Sequence, residues 1–389
     1  MDEALKQDIK SAIERSGFPL EHKVGNILRE HGWQTISNRY YIDDIKGTER
    51  EIDIVAYKIY LDKIEQIEYI TTLIISCKKN DKNKWCFLTR KTEPTDANIN
   101  WNPFHYCTTD DRLDYMAKHH NNILIDSYKS HSGIQHLYSF TENVFAYEKL
   151  REPNNDNERG QKGNIITNGN QDIYESIITT IKALNFEKRS RFERYERHPY
   201  KRFYSFHLLS IFDGEMVKDR FEQNGSQTID SIVEIKYLNR HIVNNVDDFY
   251  IVNFIQADNF EFRLNLFDYI HNVNKGSIRQ LIIDFYKDIF NDRGKYNLLR
   301  EPFEKNIKWN ILGVISDIMP SLEIDDITLW PSIRNDILEI EIGGIQYFDA
   351  ATIGILNENV EFQKSVKQEL HNHLRYDGEF LFTQEELPF

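Results

Sequence analysis

The sequence predicts an α/β (α+β) chain: a mixed central sheet flanked by helices, followed by a C-terminal mixed α/β extension. Three observations carry that expectation. Apolar residues recur at helical spacing near the N-terminus (Leu20, Val24, Ile27, Leu28), runs such as "REIDIVAY" and "TLIISC" read as strands, and helices and strands both recur in the remainder.

The first predicted helix covers Glu3 to Ser16, with Leu5, Ile9, Ala12 and Ile13 on one face and Gly17 as its stop. Pro19 opens a second helix that ends at Gly32. Strands are expected at Trp33–Ile36, Arg50–Tyr57 and Tyr69–Cys77, with Lys58 to Glu68 as a hairpin excursion between the last two. Cys86–Thr89 adds a strand and Asp111–His120 a helix. The stretch "EPNNDNERGQKGNIITNGNQD" is rich in Asn and Gly and poor in core formers, as a loop or linker is. Ile173–Leu184 is amphipathic. Strands follow at Phe203–Phe212, Asp230–Tyr237 and Phe249–Gln256, with Asp213–Gly214 as a tight turn. Ser277 is expected to cap a helix over Ile278–Phe290, and "ILEIEI" near the C-terminus is a strand.

A chain of 389 residues, 40% hydrophobic and 13% aromatic, has room for two domains or one elaborated domain with a sizeable core. No run approaches the about 18 apolar residues of a membrane span, and "MDEALKQDIK" is charged and helix-like rather than a signal peptide, so no membrane partner is expected. Cys77, Cys86 and Cys107 lack C-x-x-C spacing, which suggests neither a disulfide framework nor a zinc site and fits a reducing cytoplasm. The formal net charge of −14 excludes coating of nucleic acid through overall basicity. It leaves room for a local basic patch, with much of the surface free for a partner.

The chemistry begins with strand geometry. Residues two apart on a strand share a face, so Glu51 pairs with Asp53 and Ser76 with Lys78. If the two strands are neighbours, an acidic pair and a Ser/Lys pair converge at a strand end, and Glu21 stands in the first turn of the preceding helix. Magnesium takes hard oxygen ligands, commonly one or two carboxylates with water and substrate phosphate. A lysine beside it can position water and offset developing phosphate charge. Together these groups are equipment for hydrolysing a phosphodiester.

The order of helix with Glu, glycine-ended turn, strand with Asp and strand ending in x-x-K resembles the restriction-endonuclease-like, PD-(D/E)xK nuclease superfamily. Its archaeal-resolvase and Mrr-type branches are the most similar. The matching pieces are "LEHKVGNILREHGW", "REIDIVAY" and "LIISCKK", between Pro19 and Lys79. The resemblance implies a restriction-endonuclease-like core and magnesium- (or manganese-) dependent cleavage of double-stranded DNA, of the kind bacteria use against phage or foreign DNA. It implies Glu21 as the helix acid, Asp53 as the metal-binding aspartate and Lys78 as the catalytic lysine. Metal ligands would be Asp53, Glu21, the Cys77 backbone carbonyl and Ser76. Ser76 departs from the family pattern, since an acid stands there in (D/E)xK. Serine is neutral and a weaker magnesium ligand, for which Glu21, Glu51 and the Cys77 carbonyl can compensate. The alternative is a nuclease-like binding or scaffold subunit that does not cut. On this reading residues 1–150 form the nuclease-like core, 151–172 a linker, 173–272 the continuation of the sheet or a DNA-binding part, and 273–389 an accessory domain. A second copy or another protein is the expected partner besides DNA.

Several features compete with that site. A lone strand Asp is commonly an edge or turn feature, and x-x-K is frequent; the ordered combination is what carries weight. "VEIK", Val233 to Lys236, is a complete ExK motif with Asp213 upstream of Glu234, but Asp213 precedes a glycine as turn aspartates do. "EKRSRFERYERHPYKRFY" interleaves Lys/Arg with aromatics, which suits nucleic acid or, equally, a solvated helix. Arg189, Arg191, Arg194 and Arg197 are its candidate phosphate contacts, and Lys79 is another. Asp111, Asp114, His119 and His120, like His371 and His373, read as solvated helix faces. No Walker A loop, G-x-G-x-x-G or G-x-S-x-G occurs, so ATP use is not expected.

Overall fold

Two patterns of burial build the larger part of the molecule: strands that hide both faces and helices that hide one. A computed structural model describes residues 1–389 except 44–46, 81, 94, 97–103, 120–125, 127–129, 132, 139, 154–163, 195–197, 244–245, 345–347 and 386–389; of residues 136, 138, 191–194, 243 and 246 it describes the backbone alone. The chain divides into two compact units, Met1–Asp110 with His120–Ile278, and Asp111–His119 with Arg279–Phe389.

The first unit is organised on a seven-stranded mixed sheet. β1 (Gln34–Ile42), β2 (Glu49–Asp62) and β3 (Ile67–Lys79) form an antiparallel meander. β3 then pairs in parallel with β8 (Lys201–Asp213), β8 in parallel with β12 (Val246–Gln256), and β12 antiparallel with β11 (Glu234–Val243). The short β5 (His105–Thr108) lies antiparallel along Phe203–Phe206 of β8. On one face, Leu20, Val24 and Leu28 of helix α2 (Phe18–Glu30) and Leu264 and Phe267 of helix α5 (Phe260–Lys287) pack with Ile54, Leu73 and Ile75.

The other face meets helix α4 (Gln171–Arg194) and a second sheet. That sheet has the order β10 (Gln227–Ile232), β9 (Met216–Phe221), β4 (Asn83–Lys91), β6 (Glu142–Arg151) and β7 (Ile166–Thr167). Trp85 of β4 stacks on Phe212 of β8 with ring centroids 3.8 Å apart. Covering both faces explains why β3 reads as an unbroken apolar run from Ile70 to Ile75 apart from two threonines, rather than as alternation.

Four expectations need correction. Lys58 to Glu68 is not an excursion: the ladder continues to Asp62↔Ile67. Only residues 63–66 turn, held by the Asp62 carboxylate, which accepts from the N–H groups of Ile64 (2.9 Å) and Glu65 (3.1 Å). Asp230–Tyr237 is not one strand. The chain leaves the second sheet at Ile232 and joins the first at Glu234, crossing at Val233, which the apolar run "SIVEI" conceals. Ser277 caps nothing, because α5 runs unbroken through it. Polar residues just ahead of it on the same helix are buried partners of the sheet. His271 Nδ1 lies 3.0 Å from Thr71 Oγ1, and Asn274 Nδ2 donates to Thr71 Oγ1 (2.9 Å) and Ser205 Oγ (3.0 Å). Within the stretch read as a loop, residues 154–163 lie outside the described set, while Ile166–Thr167 pair with β6.

The second unit contains α3 (Asp111–His119), α6 (Arg293–Ile315), α7 (Ala350–Glu358) and α8 (Val360–Leu374). It also holds a three-stranded sheet of β13 (Ile327–Arg334), β14 (Ile337–Gly344) and β15 (Phe380–Gln384). Phe303, Ile307 and Ile311 on α6 and Phe362, Val366 and Leu370 on α8 are buried at four-residue spacing. Asn306 and Asn310 of α6 bond Glu369 and Ser365 of α8 at 2.8 and 2.9 Å. Among the described residues, no helix is long and apolar enough to cross a membrane.

Candidate active site

The antiparallel ladder between β2 and β3 ends at Ile54↔Ile75. Beyond that pair the strands part: β2 stays with β1 down to Glu49, and β3 stays with β8 through Lys79↔Asp213. The gap opens at the motif residues. The Cys77 N–H, past the last ladder pair with β2, donates instead to Asp53 Oδ2 at 2.5 Å. A strand residue points its N–H and C=O to the same edge, so the Cys77 carbonyl faces this gap as well. The Cys77 side chain turns into the core beneath α2.

Asp53 stands where the alternation of β2 slips. Ile54 and Ala56 enter the core under α2, whereas Ile52 and Val55 both enter the opposite one. The β1–β2 register passes over Asp53 and Asn38, and Asn38 takes a φ of 53°, the left-handed region that Asn tolerates. Asn38 also donates through Nδ2 to the Glu51 carboxylate. Asn38 was missed in the sequence; the polar "SN" interrupting "TISNRYY" is the signal that marks it.

Leu20 and Val24 anchor the start of α2, and Glu21 between them reaches the same place from the helix. Burial raises the Glu21 pKa above the ordinary carboxylate value, and repulsion from Asp53 and Glu51 raises it further; Lys78 acts against them. Asp53 is also raised by burial, with Lys78, the Cys77 N–H and the Ser76 hydroxyl opposing and Glu51 reinforcing. Glu21, Asp53, Cys77 and Lys78 therefore share one electrostatic environment. Two carboxylates pushed up by burial and by neighbouring carboxylates are an arrangement that a bound cation would relieve. Ser76 is fully buried, close enough to help hold Asp53 ionised, although its Oγ makes no hydrogen bond of ordinary geometry among the described residues.

The donor set fits magnesium. Among the described residues no three His, Cys, Asp or Glu side chains form a ready-made cage. Magnesium, however, is commonly held by one or two carboxylates, the remaining positions going to water and substrate phosphate. Glu21, Asp53 and the Cys77 carbonyl supply that minimum.

The other sequence candidates fall elsewhere. Lys79 pairs with Asp213 at 3.3 Å, beside the gap. Of the Asp213–Glu234–Lys236 alternative, Asp213 at the end of β8 pairs with Lys79 and Glu234 at the start of β11 with Arg263, and β12 lies between those two strands. The basic–aromatic stretch is partly interior. Glu187 is buried against Arg39 (3.2 Å), Arg202 against Glu68 (2.7 Å), and Phe203 and Tyr204 are core. Arg189 is exposed on α4; the side chains of Arg191 and Arg194, and Arg197 altogether, lie outside the described set. Asp114 pairs with Lys118 (2.6 Å) and His371 with Asp377 (2.7 Å), and His373 lies 3.1 Å from Glu369; His120 lies outside the described residues.

No protein-family model, no curated protein and no solved structure matches this chain.

Proposed function

We propose that the chain is a metal-dependent endonuclease hydrolysing phosphodiester bonds in double-stranded DNA, with Glu21, Asp53 and Lys78 as its working side chains. One observation carries the reading. The ladder between β2 and β3 opens where a buried carboxylate, a strand carbonyl, a lysine and a helix glutamate meet. Asp53, Glu21 and the Cys77 carbonyl would hold magnesium or manganese, with Ser76 as a neutral neighbour. Bound there, the cation supplies Lewis-acid polarisation of the scissile phosphate and lowers the pKa of coordinated water.

The chain's own residues do the rest. Lys78 orients the attacking water and sets a positive charge against the phosphoryl oxygens as negative charge builds on them. Asp53, fixed through Oδ2 by the Cys77 N–H, has a second carboxylate oxygen to offer the cation. Glu21 brings its carboxylate in from a packed helix rather than a loop, which limits its freedom and preorganises the site. The three cysteines are buried thiols, as suits a reducing cytoplasm. Defence against foreign DNA is the biological role the resemblance suggests.

A second reading, a non-cutting binding or scaffold subunit, draws on Ser76, a buried neutral group where related motifs have an acid. Plasmid cleavage with magnesium or manganese separates the two. Wild type that nicks or linearises plasmid, with activity abolished in both Asp53→Ala and Lys78→Ala, supports the enzyme. Wild type that leaves plasmid intact with either metal supports the scaffold.

A further inference from the structure

β10 ends the five-stranded sheet, and its outer edge is bare: among the described residues no strand or backbone group pairs with it. Its inner edge pairs with β9 over six consecutive residues, Gln227↔Phe221 to Ile232↔Met216, with no bulge. Gln227, Thr228, Ile229, Asp230 and Ser231 are all exposed, Ile229 to 68%. Such an edge is a template for another strand, and proteins commonly blunt it with lysine, proline, a bulge or shortness. The strands ending the two sheets elsewhere show those devices. β7 has two residues, β1 is interrupted at the left-handed Asn38, and β11 carries Lys236 and Arg240. The "QTIDSI" of β10 has neither lysine nor proline, and its one charge is Asp230.

We propose that β10 is a dimer edge, pairing antiparallel with β10 of a second copy of the chain about a two-fold axis at Ile229. A two-fold interface must be complementary to itself, and the pattern of the strand meets that demand in one register. Centred on Ile229, the pairing sets Ile229 against its own counterpart, Thr228 against the partner subunit's Asp230 and Gln227 against the partner subunit's Ser231. Apolar then meets apolar, and each carboxylate meets a hydroxyl that can donate to it. Shifting the axis by a half or a whole residue in either direction sets Ile229 against a polar or charged side chain instead. A parallel in-register pairing brings carboxylate to carboxylate, which is unfavourable. The antiparallel join makes one continuous sheet from two, its new backbone hydrogen bonds replacing those to water. Six residues bury far less than the about 1,200–2,000 Å² of a standard stable interface, so the dimer should be reversible, half-assembled at about 1–100 µM.

The test combines sedimentation velocity of the full chain with disulfide trapping of Ile229→Cys under oxidised glutathione. Antiparallel neighbours stand about 4.5–5.5 Å apart at Cα, within the span of a disulfide. Cys77, Cys86 and Cys107 are buried, so the introduced thiol is the exposed one. The expected result is a concentration-dependent monomer–dimer equilibrium in wild type and a disulfide-linked dimer of Ile229→Cys. Gln227→Cys should give none, since its counterparts lie about 13 Å or more apart in this register. Ile229→Lys, which sets like charges together on the axis, should weaken assembly about 10-fold or more. Wild type that stays monomeric up to about 200 µM overturns the proposal. So does a dimer that Ile229→Lys leaves unchanged, a dimer that Ile229→Cys does not trap, or trapping of Gln227→Cys as readily as Ile229→Cys.

Discussion

Replacing Asp53 by Asn and by Ala separates what its carboxylate does for the fold from what it does for the chemistry. In the folded protein Asp53 accepts the Cys77 N–H at 2.5 Å in a largely enclosed gap, and burial raises its pKa. Asn keeps an acceptor oxygen there; Ala leaves a buried N–H unpaired, which costs about 1–3 kcal/mol. Asp53→Ala should therefore unfold at lower denaturant than Asp53→Asn by that amount, measured without metal at neutral pH. Wild type has a second handicap. Its folded carboxyl releases a proton less readily than the unfolded one, so stability falls as pH rises from the ordinary carboxylate range through the raised folded value. Asp53→Asn lacks this loss, so its stability relative to wild type should grow over that window. Both variants should be inactive in plasmid cleavage. Equal stability of Asn and Ala would mean that the Cys77 bond contributes nothing, and cleavage by either would remove Asp53 from the metal site.

Cleavage should decline as pH falls, with a midpoint above the usual carboxylate range of about 3.9–4.3, because Glu21 and Asp53 are both raised and a proton competes with the cation; a rate profile flat down to pH 4 contradicts this. Ser76→Asp or Ser76→Glu should tighten manganese binding in a calorimetric titration by adding ligand charge, while Ser76→Ala stays close to wild type. Weaker binding in a folded Ser76→Asp protein would place Ser76 off the ligand face. His207 is buried, its Nε2 has no partner among the described residues, and its pKa falls from 6.5 to about 4. The unfolded chain binds the proton first on acidification, so stability is lost between those values, by about 3 kcal/mol. His207→Leu should flatten that part of a denaturation-against-pH profile.

How far the sequence reveals this molecule depends on whether its signals are local. The mixed α/β class follows from periodicity, and the strands carrying Asp53 and Lys78 are legible because their apolar neighbours leave little choice of element. The parting of β2 from β3 is not legible. It arises from the shift in alternation at Asp53 and the left-handed Asn38 opposite, a tertiary irregularity whose local sign, the polar "SN" within "TISNRYY", does not say which strands part. The misplaced helix start at Ser277 has a similar cause. His271 and Asn274 look like surface residues until Thr71 and Ser205, far away in sequence, supply their hydrogen bonds. Arg202 illustrates the converse: a cation of the basic–aromatic stretch is consumed by Glu68 inside the fold.

Manganese titration of the metal-free protein, followed by calorimetry in wild type, Asp53→Asn and Glu21→Gln, bears most directly on the central claim. A cation held by Glu21, Asp53 and the Cys77 carbonyl requires saturable binding in wild type, loss in Asp53→Asn and clear weakening in Glu21→Gln. No binding in wild type, or binding that both variants retain unchanged, would contradict the claim that the gap between β2 and β3 is a metal site.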